Sequence, residues 1–458
     1  MLQRNKTESK GRNFIYPKKP SGRLYTYRKW VSYVLLLFLF SCPFLKLNGE
    51  QLVLLNFIER KFVFFGLIFT PQDFYLFALA MLIFIMFIVC FTVVLGRLWC
   101  GWACPQTIFM EMVFRRIEYW IEGDANQQKK LDQADWNTEK IIKKGSKHFI
   151  FLVISFAIAN TFLAYMIGSD VLLKIMTEPV SGHVSGFISI WLFTLIFYGV
   201  FTYVREVVCT VICPYGRLQG VLLDNQSLVV AYDFTRGEPR GHLQKNANEL
   251  TAGDCIDCGL CVQVCPTGID IREGTQLECV NCTACIDSCN EVMLKINRPK
   301  NLIGFFNQDF INERKPYKIA LKSYGYAAVL FVVVMVFSSL IYKREDIQTT
   351  VLRASGTLYQ SRGTDKTSNL YNAELINKTN KAVKFTFRSK DKGDEINFIQ
   401  KADVLPKEGS VHLTFFLIRK NNSIKKYKTA AVFEIIANGE VLSTATTSFF
   451  AQPEGIQD

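Results

Sequence analysis

Two consecutive stretches carry the cysteines best placed to do chemistry: Cys255-Ile-Asp-Cys258-Gly-Leu-Cys261-Val-Gln-Val-Cys265-Pro266, then Cys279-Val-Asn-Cys282-Thr-Ala-Cys285-Ile-Asp-Ser-Cys289. Each reads C-x2-C-x2-C-x3-C, the spacing that holds 4Fe-4S clusters in pairs. Three thiolates two residues apart can wrap one cubane on a tight loop, while the fourth, expected at the start of a helix, points at the other cluster. Ligation then crosses over. Cys255, Cys258, Cys261 and Cys289 are expected to hold one cluster, and Cys265, Cys279, Cys282 and Cys285 the second. Zinc is the alternative occupant, but structural zinc sites use two C-x2-C hairpins well separated in sequence. Here four thiols fall within eleven residues. Disulfides are disfavoured because these cysteines are expected on the reducing side of a membrane.

Two further pairs share another spacing, Trp99-Cys100-Gly-Trp-Ala-Cys104-Pro105 and Val208-Cys209-Thr-Val-Ile-Cys213-Pro214. On a continuous helix, residues i and i+4 share a face, and the proline stops that helix or starts a new one. Each pair follows an apolar run at what is expected to be the same end of the membrane. Cys100, Cys104, Cys209 and Cys213 can then converge into a four-thiolate site suited to Cu(I), zinc or a further iron-sulfur centre. The plainer reading is four small buried side chains, since free cysteine packs as an apolar residue. Repetition of C-x3-C-P favours the metal or redox role. Cys42 and Cys90 lack such a partner and read as packing. Histidine is scarce: none of His148, His183, His242 and His412 lies mid-membrane, so no facing pair is available for a haem between helices. His183 reads as a solvated loop residue, and Met81 and Met86 as packing rather than a copper path.

These groups need elements to position them. The 458 residues are 50% hydrophobic and 14% aromatic, high for a soluble protein. The excess concentrates in five runs, 30–45, 74–95, 149–167, 187–204 and 324–342. Each is near the length that crosses about 30 Å of hydrocarbon as a helix. A sixth stretch, 52–70, is interrupted by Glu59-Arg60-Lys61. An ion at the bilayer centre costs about 2.5–3.5 kcal/mol, so this stretch is expected at the interface or folded back. The net charge of +13 would suit nucleic acid, yet the basic residues sort by loop. Nine Lys or Arg precede Trp30 and nine lie within 97–147, against two in 47–73 and one in 168–184. The positive-inside rule then puts the N-terminus, 97–147 and 205–322 in the cytoplasm and everything after Tyr342 outside. Leu39-Phe-Ser-Cys42 faintly resembles a lipoprotein cleavage box, but the long basic lead-in and Pro43 favour an uncleaved anchor.

From Lys343 onward there is no cysteine, and alternating runs at 373–377, 382–388, 410–418, 429–436 and 444–451, with a turn at Asn438-Gly439, predict a small antiparallel sandwich. The expected fold is therefore a multi-domain membrane protein. A basic tail (1–29) leads into a four-helix membrane domain carrying both C-x3-C-P pairs (30–213). A cytoplasmic α+β double 4Fe-4S module of bacterial ferredoxin type (214–322) and a fifth membrane helix (323–343) follow. A periplasmic, all-β, immunoglobulin-like domain (344–458) closes the chain.

With these residues together, the chain resembles the CcoG family, also called FixG or RdxA, accessory proteins of cbb3-type cytochrome c oxidase in the bacterial inner membrane. The resemblance rests on Glu59-Arg-Lys-Phe-Val-Phe-Phe-Gly66, Thr70-Pro-Gln-Asp-Phe-Tyr-Leu-Phe77, both C-x3-C-P pairs, Ile121-Glu-Gly-Asp124, Arg236-Gly-Glu-Pro-Arg-Gly241, the tandem cluster runs and the terminal sandwich. One departure is Asn290 after Cys289 where the pattern has proline; it alters a turn and removes no ligand. The resemblance implies a cupric reductase that turns Cu(II) into Cu(I) for the oxidase, with Cys100, Cys104, Cys209 and Cys213 as candidate copper ligands. It also implies an oxidase assembly factor or copper chaperone as partner and a cytoplasmic or quinol electron donor, and it leaves a homodimer open. A quinol-oxidising carrier similar to the NapH and NosR membrane proteins is the first alternative. A scaffold that docks assembly partners through its outer sandwich is the second.

Overall fold

The computed structural model describes residues 15–47, 49–58, 61–69, 73–242, 253–354, 356, 358–363, 365–424, 426–437 and 439–452. The first part of the basic tail (1–14), Glu59 and Arg60 of the charged interruption, residues 70–72 and Asn438 of the expected turn lie outside them. The chain forms two compact units, Met1–Pro43 with Leu79–Met335, and Phe44–Ala78 with Val336–Asp458.

In the first unit the apolar runs become helices. Across the described residues four helices are long and apolar enough to cross a membrane: Phe74–Leu95, Thr138–Ile167, Val184–Val204 and Leu321–Tyr342. They mark the chain as a membrane protein. The fifth expected span, 30–45, differs. Its helix is Arg23–Ser41, which starts inside the basic lead-in with Arg28 and Ser32 buried, and Cys42–Phe44 tightens into a 3-10 turn. Only residues 30–41 of that apolar run are helical, about 18 Å at 1.5 Å per residue and short of the hydrocarbon thickness. The bundle is held by aromatic packing: Phe114 stacks on Phe201 at 4.5 Å and meets Phe151 edge-on at 4.7 Å.

The tandem cysteine runs sit in an α+β module. Strand Val229–Tyr232 pairs antiparallel with Ile303–Phe306, and helices Leu260–Gln263 and Ala284–Lys295 pack beneath them. The helix Arg23–Ser41 is fastened to this module by its free N-terminal amides, because Leu24 and Tyr25 N–H donate to the Asp287 carboxylate at 3.2 and 2.8 Å. First-turn amides have no partner within their own helix, so a carboxylate there both satisfies them and suits the helix dipole.

In the second unit the stretch 52–70 folds back as a three-stranded antiparallel meander, Val53–Asn56, Lys61–Phe64 and Leu67–Phe69. Phe65 and Gly66 both have positive φ, the conformation of a two-residue hairpin turn. The C-terminal region is an antiparallel assembly in which one sheet orders Glu395–Gln400, Ser410–Lys420, Lys366–Asn377 and Ile347–Arg353. Another orders Thr386–Ser389, Lys428–Ala437 and Glu440–Phe450. Tyr371, Phe387, Phe415 and Phe433 fill one shared core. The strands Ile347–Arg353 and Glu395–Gln400 escape the sequence reading: the first does not alternate between apolar and polar residues, and the second does so only from Glu395 to Phe398.

Candidate iron-sulfur and thiolate site

The two cysteine runs adopt the same local geometry. Asp257 and Gly259 in the first, and Asn281 and Thr283 in the second, have positive φ, so each trio of thiols lies on a tight curl that turns into a helix. The expected position of the fourth cysteine needs correction. The third cysteine opens each helix, Cys261 on Leu260–Gln263 and Cys285 on Ala284–Lys295. Cys289 then lies one turn further on, and Cys265 lies just past the end of its helix.

One cavity is lined by Cys255, Cys258, Cys261 and Cys289. Another is lined by Cys265, Cys279, Cys282 and Cys285, and Cys261 lines it too. Burial pushes the Cys261 and Cys282 thiols up to about 11 and those of Cys279 and Cys289 up to about 12. Bare thiols there hold their protons at neutral pH, so any metal centre must displace them. Soft sulfur donors in fours, on curled loops within an apolar shell, suit 4Fe-4S clusters.

The C-x3-C-P pairs also repeat one geometry, and it is not the continuous helix face expected. Cys100 lies on the short helix Leu98–Trp102, which breaks at Ala103. Cys104 is extended (φ −64°, ψ 124°) and Pro105 starts the next helix. In the second copy Cys209 lies in the wide turn Val208–Ile212, Cys213 is extended (φ −69°, ψ 113°) and Pro214 starts the helix Pro214–Leu222. Proline suits a first helical position because its missing N–H would have been unpaired there.

The four thiols are neighbours: Cys104, Cys209 and Cys213 all act electrostatically on Cys100. Burial raises Cys100 to about 12 and Cys209 to about 11. Burial raises Cys104 as well, against the facing amides of Thr107 and Gln106. Cys100 Sγ lies 3.1 Å from Oε1 of the fully buried Gln219. No three His, Cys, Asp or Glu side chains among the described residues converge closely enough to hold a single metal ion.

This thiol group abuts the second cysteine run. Cys100 and Cys209 pack in one apolar cluster with Cys282, Cys285, Val264 and Val280. Gly101 approaches the curl 280–281 so closely that an added Cβ would sit 2.5 Å from the Val280 carbonyl oxygen and 2.8 Å from that of Asn281. At Gly216 a Cβ would sit 2.8 Å from the Cys209 carbonyl oxygen. Sequence reasoning missed both glycines, and it missed the buried arginines around them. Arg28 Nε donates to the Gly101 carbonyl at 2.7 Å, and Arg97 Nη2 to the Gly216 carbonyl at 2.6 Å. The only signal for either was a charge abutting an apolar run.

Other expectations fall away from this centre. His183 is an exposed loop residue 2.6 Å from Glu178, His148 meets the Tyr198 hydroxyl at 2.8 Å, and Cys42 is fully buried. The Arg236–Gly241 stretch braces the first cysteine run. Arg236 donates to the carbonyls of Pro299 and Lys300 at 2.6 and 3.0 Å, and Gly241 N–H donates to that of Cys255 at 3.1 Å.

Residues 204–308 match the model of a 4Fe-4S dicluster domain, 77–123 that of a 4Fe-4S binding domain, and 337–452 the IG-like fold at the C-terminal of FixG. The chain is 32% identical over 383 residues to protein RdxB of Cereibacter sphaeroides, covering 80% of either protein. The chain belongs to the FixG/Rdx family. It is 38% identical over 307 residues to nitrogen fixation protein FixG of Rhizobium meliloti and 35% identical over 296 residues to protein RdxA of C. sphaeroides. These matches span 57% and 62% of those two relatives, less than two thirds of each. The crystal structure of a FixG-related protein from Vibrio parahaemolyticus aligns over 23% of the chain at 16% identity with a TM-score of 0.21. Within this FixG/Rdx chain the 4Fe-4S binding domain spans Cys100 and Cys104, and the dicluster domain spans the other ten motif cysteines.

Proposed function

We propose that the protein is a membrane electron-transfer protein that reduces Cu(II) to Cu(I) at or beside Cys100, Cys104, Cys209 and Cys213, supplying the copper centre of a cbb3-type cytochrome c oxidase. In this reading 4Fe-4S clusters held by Cys255, Cys258, Cys261 and Cys289 and by Cys265, Cys279, Cys282 and Cys285 would supply single electrons at low potential. The chain's own part is placement. The exposed Cys258 brings the first site to solvent, where a cytoplasmic donor can approach. The close backbone approach of Gly101 to Val280 carries the proposal, because it sets the C-x3-C-P turn directly on the second cysteine run. Thiolates prefer the Cu(I) product, and copper reduction consumes the one electron delivered. The sandwich then faces the periplasm, available to an oxidase assembly factor or copper chaperone.

Anaerobically purified protein, reduced and then mixed with Cu(II), is expected to yield Cu(I) captured by a chelator, one per electron stored. Serine at Cys100, Cys104, Cys209 and Cys213 together should abolish tight copper binding while keeping cluster absorbance. Undiminished copper affinity in that variant removes the site. Iron counting joins the same experiment: about eight irons per chain fit two clusters, and about twelve would assign the four thiols to a third. One observation favours a quinol as donor. An apolar cavity of about 230 Å³ lies between Phe109, Ile158, Phe162 and Phe197, beside Pro105 and Gln106. Reduction of the protein by a quinol analogue selects that donor over a soluble one.

A further inference from the structure

We propose that Arg28, together with Arg97, supplies the uncompensated positive charge that lets the second cluster site, Cys265, Cys279, Cys282 and Cys285, accept an electron, and so sets the potential of that cluster alone. The inference rests on reading those cysteines as cluster ligands. The two sites differ in their surroundings. The first reaches solvent at Cys258, and the guanidinium beside it, Arg272, is neutralised by Asp257 and by Asp270 at 2.7 Å. The second packs beneath the C-x3-C-P turn: Cys282 is 8% exposed, Cys265, Cys279 and Cys285 are half-buried, and none is as open as Cys258. Each electron taken up there adds negative charge to a buried, anionic group, which is unfavourable unless a fixed charge offsets it. Cluster potentials follow local charge, hydrogen bonding and exposure.

Arg28 is 2% exposed, spends Nε on the Gly101 carbonyl, and leaves Nη2 buried without a hydrogen-bond partner among the described residues. No carboxylate among the described residues pairs with it. Arg97 is 5% exposed and, among the described residues, donates to backbone carbonyls only, those of Leu277, Cys279 (3.5 Å) and Gly216 (2.6 Å). Arg28 acts on Cys282 and Arg97 on Cys279, in each case working against burial, the larger effect. Glu111 opposes Arg28 at Cys282 but is itself bonded to Arg115. Arg115 reaches the Pro266 carbonyl at 3.1 Å yet is paired with Glu111 and Glu206, so it adds no uncompensated positive charge. Two buried guanidiniums with no carboxylate partner among the described residues therefore flank the second site, whereas the one beside the first is neutralised.

The test is an EPR-monitored redox titration of the full-length, anaerobically purified protein, comparing wild type with Arg28→Gln and Arg28→Lys. In Arg28→Gln one of the two cluster signals should become at least tenfold harder to reduce, about 59 mV for a one-electron couple. The other signal should not move, and Arg28→Lys should keep most of the wild-type value. Unmoved potentials in Arg28→Gln, equal shifts of both clusters, or a lysine variant as impaired as the glutamine one would each overturn the proposal. If Arg28→Gln does not load clusters, Arg97→Gln and Arg97→Lys are read by the same criterion, and loss of clusters in both lysine variants overturns it too. A wild type lacking two cluster signals would instead sink the functional reading beneath it.

Discussion

At Gly101 the C-x3-C-P turn meets the second cysteine run with no room for a side chain. A methyl group there would lie 2.5 Å from the Val280 carbonyl oxygen, a distance no packed Cβ tolerates, so Gly101→Ala must push the C-x3-C-P turn off the second cysteine run. Overpacking of this kind costs about 1–3 kcal/mol. The expected outcome is a lower melting temperature together with slower reduction of Cu(II), while iron content stays near wild type because no ligand is touched. A variant with wild-type copper reduction would show that the approach is not part of the path. The two groups of four cysteines that line the paired cavities were legible at this scale, since C-x2-C-x2-C-x3-C is a purely local spacing. The glycines and arginines that press the two sites together were not, because what excludes a Cβ at Gly101 is the backbone of Val280 and Asn281, remote in sequence, whereas at Gly199 a Cβ would meet open space.

Elements form where local patterns agree and depart where a neighbour intervenes. The run 30–45 reads as a span, yet its helix begins at Arg23 because Asp287, on the helix that carries Cys285 and Cys289, receives the Leu24 and Tyr25 amides. Asp287→Ala should remove this cap at a cost of about 0.5–2 kcal/mol, the range for lost N-terminal caps. Loosening should appear as faster amide exchange at residues 24–27 and faster loss of one cluster to a chelator. Unchanged exchange there would mean the carboxylate is incidental. The stretch 52–70 is the opposite case, in which the local pattern already excludes a span. Charges at its centre forbid a span, and the chain turns at Phe65-Gly66 into strands.

For the molecule as a whole, the division of labour is between a unit that gathers all twelve motif cysteines and a cysteine-free unit built on the sandwich. Within the latter, Asp73 is 1% exposed and binds Lys378 at 2.6 Å and Arg344 at 2.7 Å, tying the segment before the first long membrane helix to the sandwich. Burial alone would raise the Asp73 carboxyl, but these two cations outweigh it and hold it below the ordinary carboxylate range. A group depressed in the folded state stabilises fully above its unfolded pKa of about 3.9 and loses that contribution as pH falls through the folded value. Asp73→Asn should therefore destabilise this unit at neutral pH, by about 3–5 kcal/mol for cations left buried without their partner. The gap between variant and wild type should close only in acid, below the ordinary carboxylate range. Equal melting temperatures at pH 7 would contradict this role.

The sulfur spacing, the apolar runs and much of the alternation of the sandwich strands could be read from the chain alone, because each is written in residues within a turn or a strand of one another. Folding set which distant residues meet: Gly101 against Val280, Arg28 against Gly101, and Asp73 against Lys378. These are partners 73 to 305 positions apart at the hydrogen bonds, selected by shape and by the demand that buried polar groups find partners, and no local pattern encodes either constraint.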